Sequence, residues 1–175
     1  MKTNQGGKSI LLSLPAWAVS AVLLLTGGQA LADDSGCSIS GGGSFETVNS
    51  SIPNQNGETQ FGGRVAQTDC SQVTENINGA WFVTFADGSR FQATDFESMA
   101  VYNGGVLITT VIGWGIYDGE IGKFILQAED PDATGASGPD HIILDVYNPD
   151  DNTDILADAR GDVLHGAIRI HFGLY

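Results

Sequence analysis

Residues 129–140 carry a dense set of oxygen ligands, Glu129, Asp130, Asp132 and Asp140, around the run Asp130-Pro131-Asp132-Ala133-Thr134-Gly135. Carboxylates at alternate positions ahead of a glycine are how a calcium loop begins, because Ca²⁺ takes six to eight hard oxygens around a sharp turn. An EF-hand is excluded: its twelfth position needs a bidentate Glu, and here that position is His141. The flanks also alternate like strands, not helices. What remains is a looser calcium site on a β frame, with Ca²⁺ as an optional cofactor. The same Asp, Gly and Pro residues also suit a solvated turn for backbone reasons alone. Asp150, Asp151 and Asp154 form a second cluster open to the same two readings.

No other chemistry is spelled out. His165 and His171 share strand parity but would stand about 20 Å apart at the rise of an extended chain, too far for one metal. Ser137 in Gly135-Ala136-Ser137-Gly138 has the wrong spacing for a nucleophile elbow. Phosphate loops, dinucleotide fingerprints and His-Glu-x-x-His are absent from the sequence. Among the aromatics, Trp81 shares parity with Val83 and Phe85 and reads as core. Trp114, between Gly113 and Gly115, is the better candidate for an exposed ligand contact, since glycine neighbours leave its ring uncovered, though core packing suits it as well.

These residues must be held by strands. Phe124, Leu126 and Ala128 alternate, as do Ile142, Leu144 and Val146, and Ile168, Ile170 and Phe172. A period of two puts each set on one face of a strand. Further strands are expected near residues 45–48, 61–67, 80–86, 90–93, 106–112, 155–160 and 164–172. Asp87-Gly88 should form a hairpin turn. Residues 95–99 fit a helical turn or a strand equally. Nine or ten short strands with Gly, Asp and Asn punctuation predict an all-β fold, a single-domain antiparallel β-sandwich of jelly-roll-like or barrel-like form.

The order of features resembles the post-COAP type of secreted bacterial β-domain. The residues that carry the likeness are Gly41-Gly42-Gly43-Ser44-Phe45, Phe61-Gly62-Gly63, residues 134–144 and the closing Leu164-His165-Gly166-Ala167-Ile168-Arg169-Ile170-His171. The likeness spans about residues 41–172, with a departure at 86–105. It implies a small exported β-domain and no mechanism.

The N-terminus sets the compartment. Lys2 and Lys8, an apolar run interrupted by Pro15, and Ala30-Leu31-Ala32 before Asp33-Asp34 form a secretory signal pattern with cleavage after Ala32. The domain division is thus residues 1–32 as signal peptide, 33–44 as a flexible Gly/Ser-rich leader, and 45–175 as the β domain. The 143 residues after the signal suit one domain. They carry all 21 acidic side chains and five basic ones, a formal charge of −16. Such a chain repels phosphate backbones, so nucleic acid is a poor partner. In an exported protein, Cys37 and Cys70 pair as a disulfide.

An eight-stranded outer-membrane barrel is disfavoured, because a lipid-facing last strand ending in Tyr175 would carry Arg169 and His171 into hydrocarbon. The mature chain contains no transmembrane segment on this reading. The expected role is an exported, non-catalytic module of the cell surface or extracellular space, with a protein or glycan partner. The alternatives are a calcium-assisted carbohydrate-binding domain and an enzyme of unknown class.

Overall fold

A computed structural model describes residues 36–173 other than 53 and 75. The segment 1–32, which the sequence pattern reads as a signal peptide, and Tyr175 lie outside the described residues. Eight strands follow one another: β1 (Cys37–Thr47), β2 (Gly57–Gln67), β3 (Ile77–Thr84), β4 (Arg90–Asn103), β5 (Leu107–Tyr117), β6 (Glu120–Asp130), β7 (His141–Asn148) and β8 (Asp151–Phe172). A 3₁₀ turn, Asp132–Thr134, sits between β6 and β7. Each strand pairs antiparallel with its sequence neighbour, and β8 returns to β1, closing a barrel.

The all-β class, the antiparallel pairing and the Cys37–Cys70 bridge stand as read from the sequence. The sandwich does not: the sheet is one closed barrel. Alternating apolar positions say which face of a strand is buried, and that face looks the same whether it meets a second sheet or the axis of its own. The strands are also longer and fewer than expected. Residues 95–99 are part of β4, and the two final runs fuse into a β8 of 22 residues.

The segment 33–44 is corrected as well, since residues 37–44 belong to β1. Its glycines are there for proximity. Gly43 faces Gly166 across the β1–β8 pair; a Cβ on Gly43 would lie 1.8 Å from the His165 carbonyl oxygen, and one on Gly166 2.0 Å from that of Gly42. Gly166 also has φ +95°, where side chains are strained. Only glycine lets the two strands bend together here.

The axis of the barrel is filled. All the inward sets read from the sequence are buried: Phe124, Leu126 and Ala128; Ile142, Leu144 and Val146; Ile168 and Ile170. Phe172 is partly buried against them. Phe61 stacks on Trp81 and packs against Phe45, with ring centroids 5.9 Å apart in both pairs; on the other side Phe124 meets Phe91 at 5.2 Å and Phe96 at 6.1 Å. Each buried ring or branched aliphatic contributes about 1.5–3 kcal/mol by leaving water. Arg169 and His171 point outward and are exposed, as their parity requires. The Asp87-Gly88 hairpin forms, with the Phe85 amide donating to Ser89 O at 2.9 Å.

Candidate functional site

The long last strand determines where the acidic residues go. β8 pairs with β7 over residues 151–162 and with β1 over residues 163–172, so each half has one edge without a neighbouring strand. An unpaired amide in a buried place is expensive. Side chains supply the missing acceptors. The Ile170 amide donates to Asp130 Oδ2 at 2.9 Å, the Ile168 amide to Asp140 Oδ2 at 2.7 Å, and the Val163 amide to the Asp140 carbonyl at 2.8 Å. Asp130 is 1 % exposed and accepts a second bond on Oδ1, from the Ala133 amide at 3.1 Å. Asp140 also faces the Arg169 guanidinium at 4.0 Å.

Two of the four calcium candidates therefore hold the last strand in place. The other two stand apart from them. Glu129 faces outward in register with His141, and Asp132 is exposed in the 3₁₀ turn. Among the described residues no group of three or more His, Cys, Asp or Glu side chains is arranged to hold a metal. Asp150, Asp151 and Asp154 belong to a turn network: Asp151 Oδ1 accepts from the Thr153 amide and hydroxyl, and Asp154 Oδ2 from Asn148 Nδ2. The histidines are dispersed. His141 Nδ1 lies 2.8 Å from Asp162 Oδ1, while His165 and His171 are exposed elsewhere on β8.

The other free edge of β8 is closed from the connection between β1 and β2. Gln55, fully buried, accepts the Asp158 amide on Oε1 at 3.1 Å and donates to the Tyr117 hydroxyl at 2.8 Å. Asp158, 1 % exposed, accepts from the Ser50 hydroxyl at 2.6 Å and from the Ser51 amide at 3.0 and 3.1 Å. Arg160 reaches both Asp158 (3.6 Å) and Asp145 (3.3 Å). Burial raises the Asp145 pKa above the ordinary aspartate value; Arg160 opposes that rise and the charge of Asp158 adds to it. Beside this connection an open hollow of about 430 Å³ is lined by Glu46, Thr47, Val48, Asn49, Asn56 and Gly57.

Trp114 occupies the outer wall. Its flanking glycines face inward, where a Cβ on Gly113 would strike the Asp95 carbonyl oxygen (2.1 Å) and then Phe124 (3.0 Å), and one on Gly115 would strike Phe91 (2.3 Å). Gly113 is small to let the β4 backbone approach and Gly115 to admit the Phe91 ring, and the parity that buries them turns Trp114 out. The indole is half-buried. Its Nε1–H donates to Glu97 Oε1 at 2.6 Å, Lys123 Nζ stands 5.7 Å from the ring centroid, and Lys123 pairs with Glu97 Oε2 at 2.9 Å. Hydrogen bonds from Lys123 and then from Trp114 lower the Glu97 pKa. Outward neighbours include the facing pair Ile116 and Ile121, which are 43 % and 64 % exposed. Trp81, by contrast, is wholly buried, as its parity implied.

Gln55, Asp158 and Glu97 were not legible as a set. An Asp between Ala157 and Ala159 is a visible oddity in an apolar run, but apart from Arg160 the groups that bond it lie more than 100 positions away. Glu97 falls in residues 95–99, whose sequence fits a helical turn and a strand equally.

No protein-family profile, curated protein or solved structure matches the chain. Among the described residues, no helix is long and apolar enough to cross a membrane.

Proposed function

We propose that the chain is an exported, non-catalytic binding module that works through the outer wall of its barrel, with the contact centred on Trp114. One observation carries the reading. The lumen is occupied by stacked rings, so a ligand of any size must be met from outside, and there a half-buried indole sits with a carboxylate and an ammonium in reach. Export is supported by the signal pattern, by the disulfide, which suits an oxidising compartment, and by the post-COAP resemblance.

The second reading, a carbohydrate ligand, is favoured by the same trio. An indole face offers apolar contact to a sugar ring, and Glu97 and Lys123 offer an acceptor and a donor beside it. Calcium assistance would draw on Glu129 and Asp132, whose carboxylates lie outside the β8 network. The test is a glycan array and an insoluble-polysaccharide pull-down with the mature chain and Trp114→Ala, with and without calcium. Binding lost in Trp114→Ala while its circular dichroism and melting are unchanged supports the sugar reading. Binding that persists in the variant places the contact elsewhere.

A further inference from the structure

The row of outward side chains that runs through Trp114 continues across the wall. Trp114 of β5 stands in register with Lys123 of β6, and Lys123 with Tyr147 of β7. Outward parity thus places two half-buried rings on one face, with a single strand between them. Neighbouring strands lie about 4.8 Å apart, so the backbones that carry the rings are about 10 Å apart across β6. Lys123 leans toward the indole: its Nζ is 5.7 Å from the Trp114 centroid and 2.9 Å from Glu97 Oε2. The Tyr147 hydroxyl donates to Asp145 Oδ2 at 3.4 Å. The outward rows on either side are apolar where β5 meets β6, Ile116 with Ile121 and Ile112 with Ile125.

We propose that this row is the track of an extended, neutral, β-1,4-linked glycan lying across the strands, with one sugar ring on Trp114 and another on Tyr147. The proposal rests on the carbohydrate reading of the Trp114 wall and gives that reading a direction and a polymer class. Spacing selects the linkage. In a β-1,4-linked chain of glucose or N-acetylglucosamine, alternate rings turn the same face to one side, and one disaccharide step is close to the distance across two strand intervals, about 10 Å. An α-1,4-linked chain coils, and its alternate rings leave that plane. Charge selects neutrality: Lys123 is paired with Glu97 and Arg160 with Asp145 at 3.3 Å, while the formal charge of −14 on the chain repels a uronate polymer. Groups beside the rings can meet sugar hydroxyls. An ammonium has three donors, of which Glu97 takes one, and the Tyr147 hydroxyl, donating to Asp145, can still accept.

The mature, disulfide-bonded chain is titrated calorimetrically with cellohexaose and chitohexaose, with their disaccharides, with maltohexaose and with a hexagalacturonate. Trp114→Ala, Tyr147→Ala and Tyr147→Phe are run beside it. The proposal expects saturable binding of a β-1,4-linked hexaose, weakened about ten-fold by either alanine at unchanged melting temperature. Tyr147→Phe keeps the ring and should bind as the parent does. The disaccharides, too short to lie on both rings, and maltohexaose should each bind roughly ten-fold more weakly or worse. Hexaose binding that falls in Trp114→Ala but ignores Tyr147→Ala overturns the track and leaves the Trp114 contact standing. So does a disaccharide or maltohexaose that binds as tightly as the β-1,4-linked hexaose. Equal binding of the hexagalacturonate overturns the neutral class, and no saturable binding of any hexaose overturns the track and the carbohydrate reading together.

Discussion

The barrel is interrupted along β8 and between β3 and β4, and the two places are treated differently. Along β8 the exposed edges are closed by polar side chains from distant loops: Asp130 and Asp140 on one side, Gln55 on the other. Between β3 and β4 the strands pair only through Phe82–Gln92, Val83–Phe91 and Thr84–Arg90, with Val73 O, on a connection tethered by Cys70, taking the Met99 amide and Asp95 Oδ1 the Phe96 amide. The difference teaches what the buried carboxylates are for. Along β8 buried side chains replace the missing strand; between β3 and β4 a loop carbonyl and the exposed Asp95 carboxylate take the amides of Met99 and Phe96.

The sharpest way to break the contrast is at the disulfide. Reducing it, or replacing Cys37 and Cys70 by Ser, should lower stability by about 3–4 kcal/mol in urea unfolding. Amide exchange should then rise first at Met99 and along β3, and much less at Ile168 and Ile170. Uniform loosening of both regions would show that the bridge serves the whole barrel.

Next in size is Asp130→Ala, which leaves the Ile170 amide without its acceptor and should cost about 2–3 kcal/mol. Asp130→Asn keeps an oxygen there and should recover most of the loss, with Ile170 exchange reporting the bond directly. On the opposite edge, Gln55→Ala should cost about 1–2 kcal/mol, since the Asp158 amide and the Tyr117 hydroxyl each lose a partner.

The outer wall should respond to pH without much change in stability. Glu97 has a folded pKa below its ordinary value of 4.5, so whatever it contributes is complete above that pH and is lost as pH falls through the lower folded value. Trp114 emission, isolated by comparison with Trp114→Phe, should therefore shift with a midpoint under 4.5. Asp145 runs the other way: its raised pKa means that protonation favours the folded chain as pH falls toward 3.8. The smallest expected effect is that of calcium. With Asp130 and Asp140 already bonded to β8 amides, millimolar Ca²⁺ should leave the melting temperature unchanged. A rise that a chelator reverses would instead place a cation in the 129–140 loop.

Much of this molecule was written into local pattern. The alternation of Ile142, Leu144 and Val146, or of Ile168 and Ile170, announces a buried strand face, because successive side chains must point to opposite sides of an extended chain. Parity with Val83 and Phe85 likewise placed Trp81 in the core, whereas Trp114 stood out only by its flanking glycines. The Asp-Gly turn and the pairing of the cysteines also need no knowledge of distant chain. Tertiary structure alone decided that one sheet closes on itself, that Gly41 to Gly43 belong to its wall, and that Asp130 and Asp140 hold strand amides. Those outcomes depend on which strands become neighbours and at what stagger, and the hydrogen bonds that set both join residues remote in sequence.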